Sequence, residues 1–195
     1  MIKTRLAALA LAAAACAGCS TTLVRDTPKP VSVSSGVSLE TTDLTEALLD
    51  IKGTVVQGVV GSWKDNAFSA EFVMKGDGEK LTVAVLAPAM RLATITLARP
   101  HSIRYERARR IPAAFEPEYV LFDLAIVNLE TSVLSRVLGP GFSVIDDGTN
   151  RVVSLKGGEG PGKPTSVATL VRNGDGTMKF VNLRHSYEYT ITPLQ

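Results

Sequence analysis

The chain has 195 residues, of which 45% are hydrophobic and 21% are charged, and it contains 16 glycines and 2 cysteines. This composition fits one globular domain and excludes a disordered, collagen-like or disulfide-stapled chain. The formal net charge of +2 is due to Lys3 and Arg5, because basic and acidic residues are equally numerous in the remainder. A neutral domain lacks the basic surface that binds phosphate backbones, so we expect no nucleic-acid partner.

The N-terminal segment has the order of a targeting signal. Lys3 and Arg5 precede an apolar run of leucine and alanine over residues 6–15, and small residues follow up to Cys19. The run is shorter than the roughly 20 residues that span a bilayer, which is typical of a cleaved signal peptide. Residues 1–18 are therefore predicted to be a signal peptide. A plain secretory signal with a stray thiol is the alternative to a lipoprotein signal.

The residues before Cys19 resemble the bacterial lipobox, with Cys16 at the place where an aliphatic residue is usual. This resemblance implies cleavage before Cys19 and acylation of that residue with palmitate or a similar chain. Ser20 follows, and the sorting rule of enterobacteria then implies an outer-membrane lipoprotein whose domain faces the periplasm. Residues 19–42 are rich in serine, threonine and proline without a sustained period, so we expect an acylated anchor and a flexible tether.

Residues 43–195 are predicted to form the folded domain. A first helix begins near Asp43 and ends before Gly53, and two further helices are expected over residues 117–129 and 130–138. Short connections rich in glycine, asparagine and aspartate require antiparallel neighbours. Alternating hydrophobicity predicts ten strands, over residues 54–60, 67–74, 80–87, 92–98, 103–107, 142–145, 151–156, 165–171, 177–183 and 187–192.

These elements predict a mainly β protein of the α+β class, because no strand–helix–strand alternation is present. We expect one strongly curved antiparallel sheet or half-barrel with helices plugging its concave face. The helix over residues 117–129 is apolar almost all round, so it is either a central core helix or a lid over a cavity for an acyl chain. The candidate lining residues of such a trough are Phe68, Phe72, Met74, Leu81, Val83, Val85, Ile95, Leu97, Leu121, Phe122, Met178 and Phe180.

Two glycine- or aspartate-rich loops resemble ligand sites only superficially. Residues 157–163 are rich in glycine and end in lysine, but Pro164 replaces the Ser or Thr of a phosphate loop and a β-branched segment follows. Residues 146–150 have the composition of a calcium loop but lack the later bidentate glutamate. An inter-strand loop and a hairpin turn are the expected structures.

No side chain occurs in a recognisable catalytic pattern. His101 and His185 are the only histidines, and neither belongs to a metal-binding or nucleophile motif, so surface positions are expected for both. Glu118 and Asp123 are five residues apart and should point to different faces of their helix. The sequence therefore predicts no catalytic residue, no metal site and no cofactor.

A family resemblance rests on the order of several features. They are the lipobox, the tether, Trp63, residues 91–94, the helix from Pro117 with Leu134 and Leu138, Arg151 and the closing residues 180–189. Over residues 63–192 the chain resembles an uncharacterised bacterial lipoprotein family often encoded among aryl-polyene biosynthesis genes. That family in turn resembles the LolA/LolB carriers, whose curved sheet closed by helices holds lipoprotein acyl chains.

The resemblance implies a function for the predicted trough. We expect a non-enzymatic outer-membrane lipoprotein that binds or transfers an acyl or polyene lipid or a lipoprotein acyl chain. The alternative is a non-enzymatic envelope interaction or assembly protein whose barrel is packed solid. Expected partners are the membrane through Cys19, an acyl chain and other envelope proteins.

Overall fold

A computed structural model describes residues 20–34, 36–63, 66–88, 90–108, 116–157 and 165–194. The predicted signal peptide, Cys19 and most of the glycine-rich loop lie outside the described residues. The helices are α1 (Thr42–Leu49), α2 (Pro117–Asn128) and α3 (Thr131–Leu138). The strands are β1 (Ser20–Arg25), β2 (Val31–Ser34), β3 (Val37–Leu39), β4 (Lys52–Trp63), β5 (Asn66–Asp77), β6 (Lys80–Ala87), β7 (Met90–Ala98), β8 (Ser102–Ala108), β9 (Phe142–Asp146), β10 (Asn150–Leu155), β11 (Thr165–Arg172), β12 (Met178–Asn182) and β13 (Tyr187–Pro193).

Eleven strands form one curved antiparallel sheet in the order β1-β8-β7-β6-β5-β4-β13-β12-β11-β10-β9, and β2 pairs with β3. The predicted fold class is confirmed, and each of the ten predicted strands is present. Strand β11 follows the glycine-rich loop, so the helix that a phosphate loop requires is replaced by a strand.

The described part of the segment expected to be a flexible tether is ordered, which corrects that prediction. All six residues of β1 pair with β8, from Ser20 opposite Ala108 to Arg25 opposite Ile103. The β2–β3 hairpin buries Val31 and Val33, which are 1% and 3% exposed. This order depends on contacts with a strand far along the chain, so no local pattern announces it.

The two ends of the sheet differ in the connections that they carry. Because neighbouring strands are antiparallel, alternate connections lie at the same end. We call one end the Ser20 end: it carries the start of β1 and the connections β4–β5, β6–β7, β10–β11 and β12–β13. The opposite end, called the Asp77 end, carries the turns β5–β6, β7–β8, β9–β10 and β11–β12.

The helices cover the concave, inner face of the sheet. Helix α1 packs against β6, β7 and both other helices, and α2 also contacts β2. Side chains from Pro117 to Ile126 are buried on nearly every side of α2, as its apolar sequence requires. Leu81, Val83 and Ile95 beneath the helices are each 0% exposed. Burial of a side chain of this size contributes roughly 1.5–3 kcal/mol.

Aspartates close two turns of the Asp77 end. Asp77 accepts hydrogen bonds from the backbone amides of Glu79 at 2.9 Å and Lys80 at 2.7 Å. Asp147 does the same for Thr149 at 2.9 Å and Asn150 at 2.6 Å. The calcium-like segment 146–150 is thus a hairpin turn, as predicted. These amide hydrogen bonds favour the ionised carboxylates and lower the pKa of both aspartates.

Candidate functional site

The inner face of β5 changes from buried to exposed along its length. Met74 is 1% exposed, Phe72 and Ala70 are half-buried, and Phe68 is 37% exposed. Alternate residues of a strand share a face, so all four side chains lie on the inner side with Met74. β5 pairs with β6 only as far as Glu71, and residues 66–70 extend beyond it. The inner face is therefore filled at the Asp77 end and becomes accessible toward the Ser20 end.

Aromatic side chains lie in neighbouring rows of this accessible part. Phe68 is opposite Gly61 on β4, Gly61 is opposite Tyr189 on β13, and Tyr189 is opposite Phe180 on β12. The rings of Phe180 and Tyr189 stack with centroids 4.9 Å apart, and those of Tyr187 and Tyr189 are 6.2 Å apart. We call Phe68, Phe72, Phe180, Tyr187 and Tyr189 the aromatic strip.

Gly61 sits in the middle of the row that joins Phe68 to Tyr189. A Cβ at this position would lie 2.5 Å from the Cβ of Tyr189 and 2.3 Å from the backbone oxygen of Glu188. Only glycine fits such a close backbone approach. The row therefore has no side chain between Phe68 and Tyr189, which leaves the two rings with a glycine backbone between them.

A buried carboxyl group borders the aromatic strip. Asp123 projects from the middle of α2, is 6% exposed, and accepts hydrogen bonds from the hydroxyl of Tyr187 and from the side-chain amide of Asn182 at 3.2 Å. Asn182 also donates to the Tyr187 hydroxyl at 2.9 Å. Burial outweighs these hydrogen bonds and raises the pKa of Asp123 to about 7. Asp123 thus connects α2 to strands β12 and β13 through hydrogen bonds that change with its protonation.

His185 joins the same cluster, which differs from its expected surface position. It is half-buried, and its ring meets that of Tyr119 edge to face with centroids 4.5 Å apart. Its backbone amide donates to the Asn182 side chain at 3.0 Å. Burial lowers the pKa of His185. His101 does lie near the surface, where its Nδ1 is 3.0 Å from Glu46.

The N-terminal end of α2 is held by β1. The guanidinium of Arg25 donates to Glu118, which is 1% exposed in its side chain, and to Glu116 at 2.7 Å. The backbone amide of Lys29 adds a hydrogen bond to Glu118 at 3.0 Å. Glu118 and Asp123 therefore belong to separate networks, as their spacing predicted.

The C-terminal end of α2 is held by Arg151 of β10. Its guanidinium, buried in the structure, donates to the backbone oxygens of Ile126 and, at 2.8 Å, of Leu129. It also pairs with Asp146 at 2.6 Å, and Arg172 contacts the same carboxylate at 3.0 Å. The two arginines strongly lower the pKa of Asp146. Helix α2 is thus fixed to the sheet at its start, its middle and its end.

The structure separates the candidate lining residues into two groups. Phe68 is partly exposed, and Phe72 and Met178 are half-buried. The other nine lie in the fully buried core, and they are Met74, Leu81, Val83, Val85, Ile95, Leu97, Leu121, Phe122 and Phe180. Sequence alternation identified the shared face but carried no information on which part of it the helices cover.

The polar part of the cluster was missed by the sequence analysis. Asp123 is paired with residues 59 and 64 positions away, so its partners are brought together only by the fold. Two signals were available: Asp123 is an acidic residue within an otherwise apolar stretch, and Tyr187 and Tyr189 alternate with exposed Glu188. A buried acid needs hydrogen-bond donors, and inward-facing tyrosines supply them.

These features define the class of the protein: an α+β half-barrel, in which a single antiparallel sheet curves around a buried helix held by polar contacts. The chain belongs to the family described as "Protein of unknown function (DUF3261)", whose model matches residues 54–195. Among solved structures it is similar to a DUF1329 family protein from Desulfovibrio piger, with 11% identity and a TM-score of 0.34. That match covers 77% of this chain and 88% of the other. A comparison with curated proteins found no match.

Two searches of the described residues were negative. None of the described helices is both long enough and apolar enough to cross a membrane. The described residues also contain no group of three histidine, cysteine or acidic side chains placed to hold a metal ion.

Proposed function

We propose that this protein is an outer-membrane lipoprotein, acylated at Cys19 and facing the periplasm, whose half-barrel binds or transfers an acyl or polyene chain without catalysis. One observation carries the proposal. Along the inner face of β5 the exposed fraction rises from 1% at Met74 to 37% at Phe68. Apolar surface on a concave face gains free energy when hydrocarbon displaces the water that covers it.

The proposed ligand lies along the aromatic strip. Each methylene group that leaves water contributes about 0.8 kcal/mol, so a chain that covers several carbons needs no polar contact for micromolar binding. A conjugated chain is also flat and presents a π face to the rings of Phe68 and Phe72, an arrangement that aromatic pairs favour. The strip thus suits a polyene at least as well as a saturated chain.

The proposal narrows the trough predicted from sequence. Residues such as Leu81, Val83 and Ile95 are covered by the helices, so a ligand reaches them only when α2 is displaced. The first binding surface is therefore the uncovered part around Phe68 and Phe72. The buried residues form its floor.

A second candidate is a non-enzymatic envelope interaction or assembly protein with a solidly packed barrel. The observation in its favour is the burial of α2, where Leu121 and Phe122 are 0% and 1% exposed. In that case the exposed side chains of the Ser20 end contact another protein, and the inner face serves only as a core.

Lipid binding distinguishes the two candidates. The mature chain with Cys19→Ser is purified, its co-purified lipid is identified by mass spectrometry, and a fluorescent polyene fatty acid is titrated into it. We expect Phe68→Glu to weaken probe binding at least tenfold without lowering Tm, because the carboxylate is solvated but repels hydrocarbon. Val60→Glu is the matched control, since Val60 is 61% exposed on the outer face of the adjacent strand. Wild-type protein that neither retains lipid nor binds the probe would favour the packed interaction protein.

Acylation is tested separately. Cys19→Ala should abolish palmitate labelling and release the protein from outer-membrane fractions, because no other anchor is proposed. Continued labelling of this variant would contradict the assignment of Cys19.

A further inference from the structure

Exposed apolar side chains lie near three connections of the Ser20 end. Phe68 follows the β4–β5 turn and is 37% exposed, Met90 begins β7 and is 39% exposed, and Leu183 lies in the β12–β13 turn and is 48% exposed. Side chains of this kind are normally withdrawn from solvent unless they contact a partner or a membrane. The same end of the sheet thus presents apolar groups from three separate connections.

Basic side chains accompany these apolar groups. Arg91, Lys156 and Arg184 are exposed beside or within the connections of the Ser20 end, and none forms an ion pair with another described residue. The described residues of these connections include no aspartate or glutamate. The acids of the adjoining strand segments lie within the sheet, and two of them are paired with cations: Glu106 with Arg104 and Glu188 with Lys179.

The Asp77 end has the opposite charge character. Its turns carry Asp77, Glu79, Asp147 and Asp175, all exposed. Arg99 in the β7–β8 turn is neutralised by contacts with Glu46, Asp50 and Glu79. The molecule is therefore polarised along the strands, with uncompensated cations at one end and carboxylates at the other.

Strand β1 fixes the start of the folded chain at the basic end. Ser20 pairs with Ala108 and immediately follows Cys19, so only one peptide unit, spanning at most about 3.8 Å, separates the two residues. If Cys19 is acylated, as the proposed function states, the lipid emerges beside the exposed apolar and basic groups rather than at the end of a long tether.

We propose that the Ser20 end is a membrane-docking surface, which rests on an anionic phospholipid bilayer through its cations and inserts its apolar turn residues. The acidic Asp77 end then points away from the bilayer, because like charges repel. This inference rests on the proposed function for the lipid anchor, but the docking surface itself consists of protein side chains. Binding to anionic vesicles must therefore persist, more weakly, without the anchor.

The test uses the mature chain with Cys19→Ser and two kinds of vesicle, phosphatidylethanolamine with phosphatidylglycerol, and phosphatidylcholine alone. We expect flotation with the anionic vesicles at low salt, a steep loss as salt is added, and little flotation with phosphatidylcholine. The double variant Arg91→Glu, Arg184→Glu should bind the anionic vesicles on the order of tenfold more weakly or worse. Lys52→Glu, Lys75→Glu makes the same charge change near the Asp77 end and should bind as wild type.

Orientation is read from a polarity-sensitive fluorophore on a single introduced cysteine. A label at Ser186→Cys, in the β12–β13 turn, should shift to the blue on anionic vesicles, and a label at Thr149→Cys, in the β9–β10 turn, should not. Wild-type protein that does not bind anionic vesicles, equal loss in both charge-reversal variants, or the reverse pattern of labels would overturn the docking surface. Because the polyene titration needs no vesicle, failure of docking with intact probe binding leaves the proposed function standing, and the converse result removes only that function.

Discussion

The two ends of the half-barrel show how one sheet combines stability with an accessible surface. At the Asp77 end the inner face is fully buried, as in Leu81 and Leu97, and aspartates satisfy the backbone amides of the turns. At the Ser20 end the same alternating pattern leaves Phe68 in contact with water. The difference is made by the helices, which cover one end and not the other. Local stability should follow, with slow amide exchange under the helices and faster exchange at the Ser20 end.

The strongest break in this comparison comes from the buried cation of the Asp77 end. Arg151→Ala should lower the free energy of unfolding by about 3–5 kcal/mol, because it removes the donor to two α2 carbonyls and leaves the largely buried Asp146 with one partner fewer. Arg184→Ala at the Ser20 end should stay within about 0.5 kcal/mol of wild type. Urea unfolding of both variants measures the difference. Similar losses in the two would mean that the ends do not differ as described.

A second test truncates an apolar residue at each end. Leu81→Ala should lower the free energy of unfolding by about 2–5 kcal/mol, since Leu81 is 0% exposed and its removal opens a cavity under the helices. Phe68→Ala should cost less than about 1 kcal/mol, because water already reaches its ring. Thermal melts of the two variants under one condition make the comparison. A larger cost at Phe68 would indicate that its ring is part of the core.

The smallest of the three effects depends on pH and sharpens the boundary between the ends. The pKa of Asp123 is raised to about 7 in the folded state, so between about pH 4 and pH 7 the folded chain keeps a proton that the unfolded chain has released. The free energy of unfolding should therefore fall as pH rises through this window, by roughly 2–4 kcal/mol, and level off above it.

Asp123→Asn should remove this fall, as urea unfolding at pH 5 and pH 8 would detect. His185→Gln is the control, because it changes a neighbour in the same cluster whose lowered pKa acts in the opposite direction. An unchanged fall in Asp123→Asn would show that another group causes the pH dependence.

The sheet was predictable from sequence where each strand carries its own alternation. Strands β4 to β8 and β9 to β13 have long runs of alternating residues and turns of glycine, aspartate and asparagine, so local information suffices. β1 has six residues with no clear alternation, and β8 and the Arg25 ion pairs give it order. Such long-range stabilisation is absent from any local window.

The candidate site was predictable only in outline. The shared face of Phe68, Phe72 and Met74 follows from the two-residue period of a strand. The exposure gradient along that face depends on where α2 and the other helices end, and the network around Asp123 depends on residues far apart in the chain. Both are properties of the assembled fold.

The pairing of β1 with β8 also bears on what happens before the chain is complete. Strand β8 is the neighbour of the first strand, so until residues 20–25 reach it, its outer row of backbone amides and carbonyls is unpaired. An unpaired edge is a template for strand addition by another chain. A precursor whose N-terminal residues are still engaged elsewhere would therefore expose an adhesive edge, and release of those residues would close it.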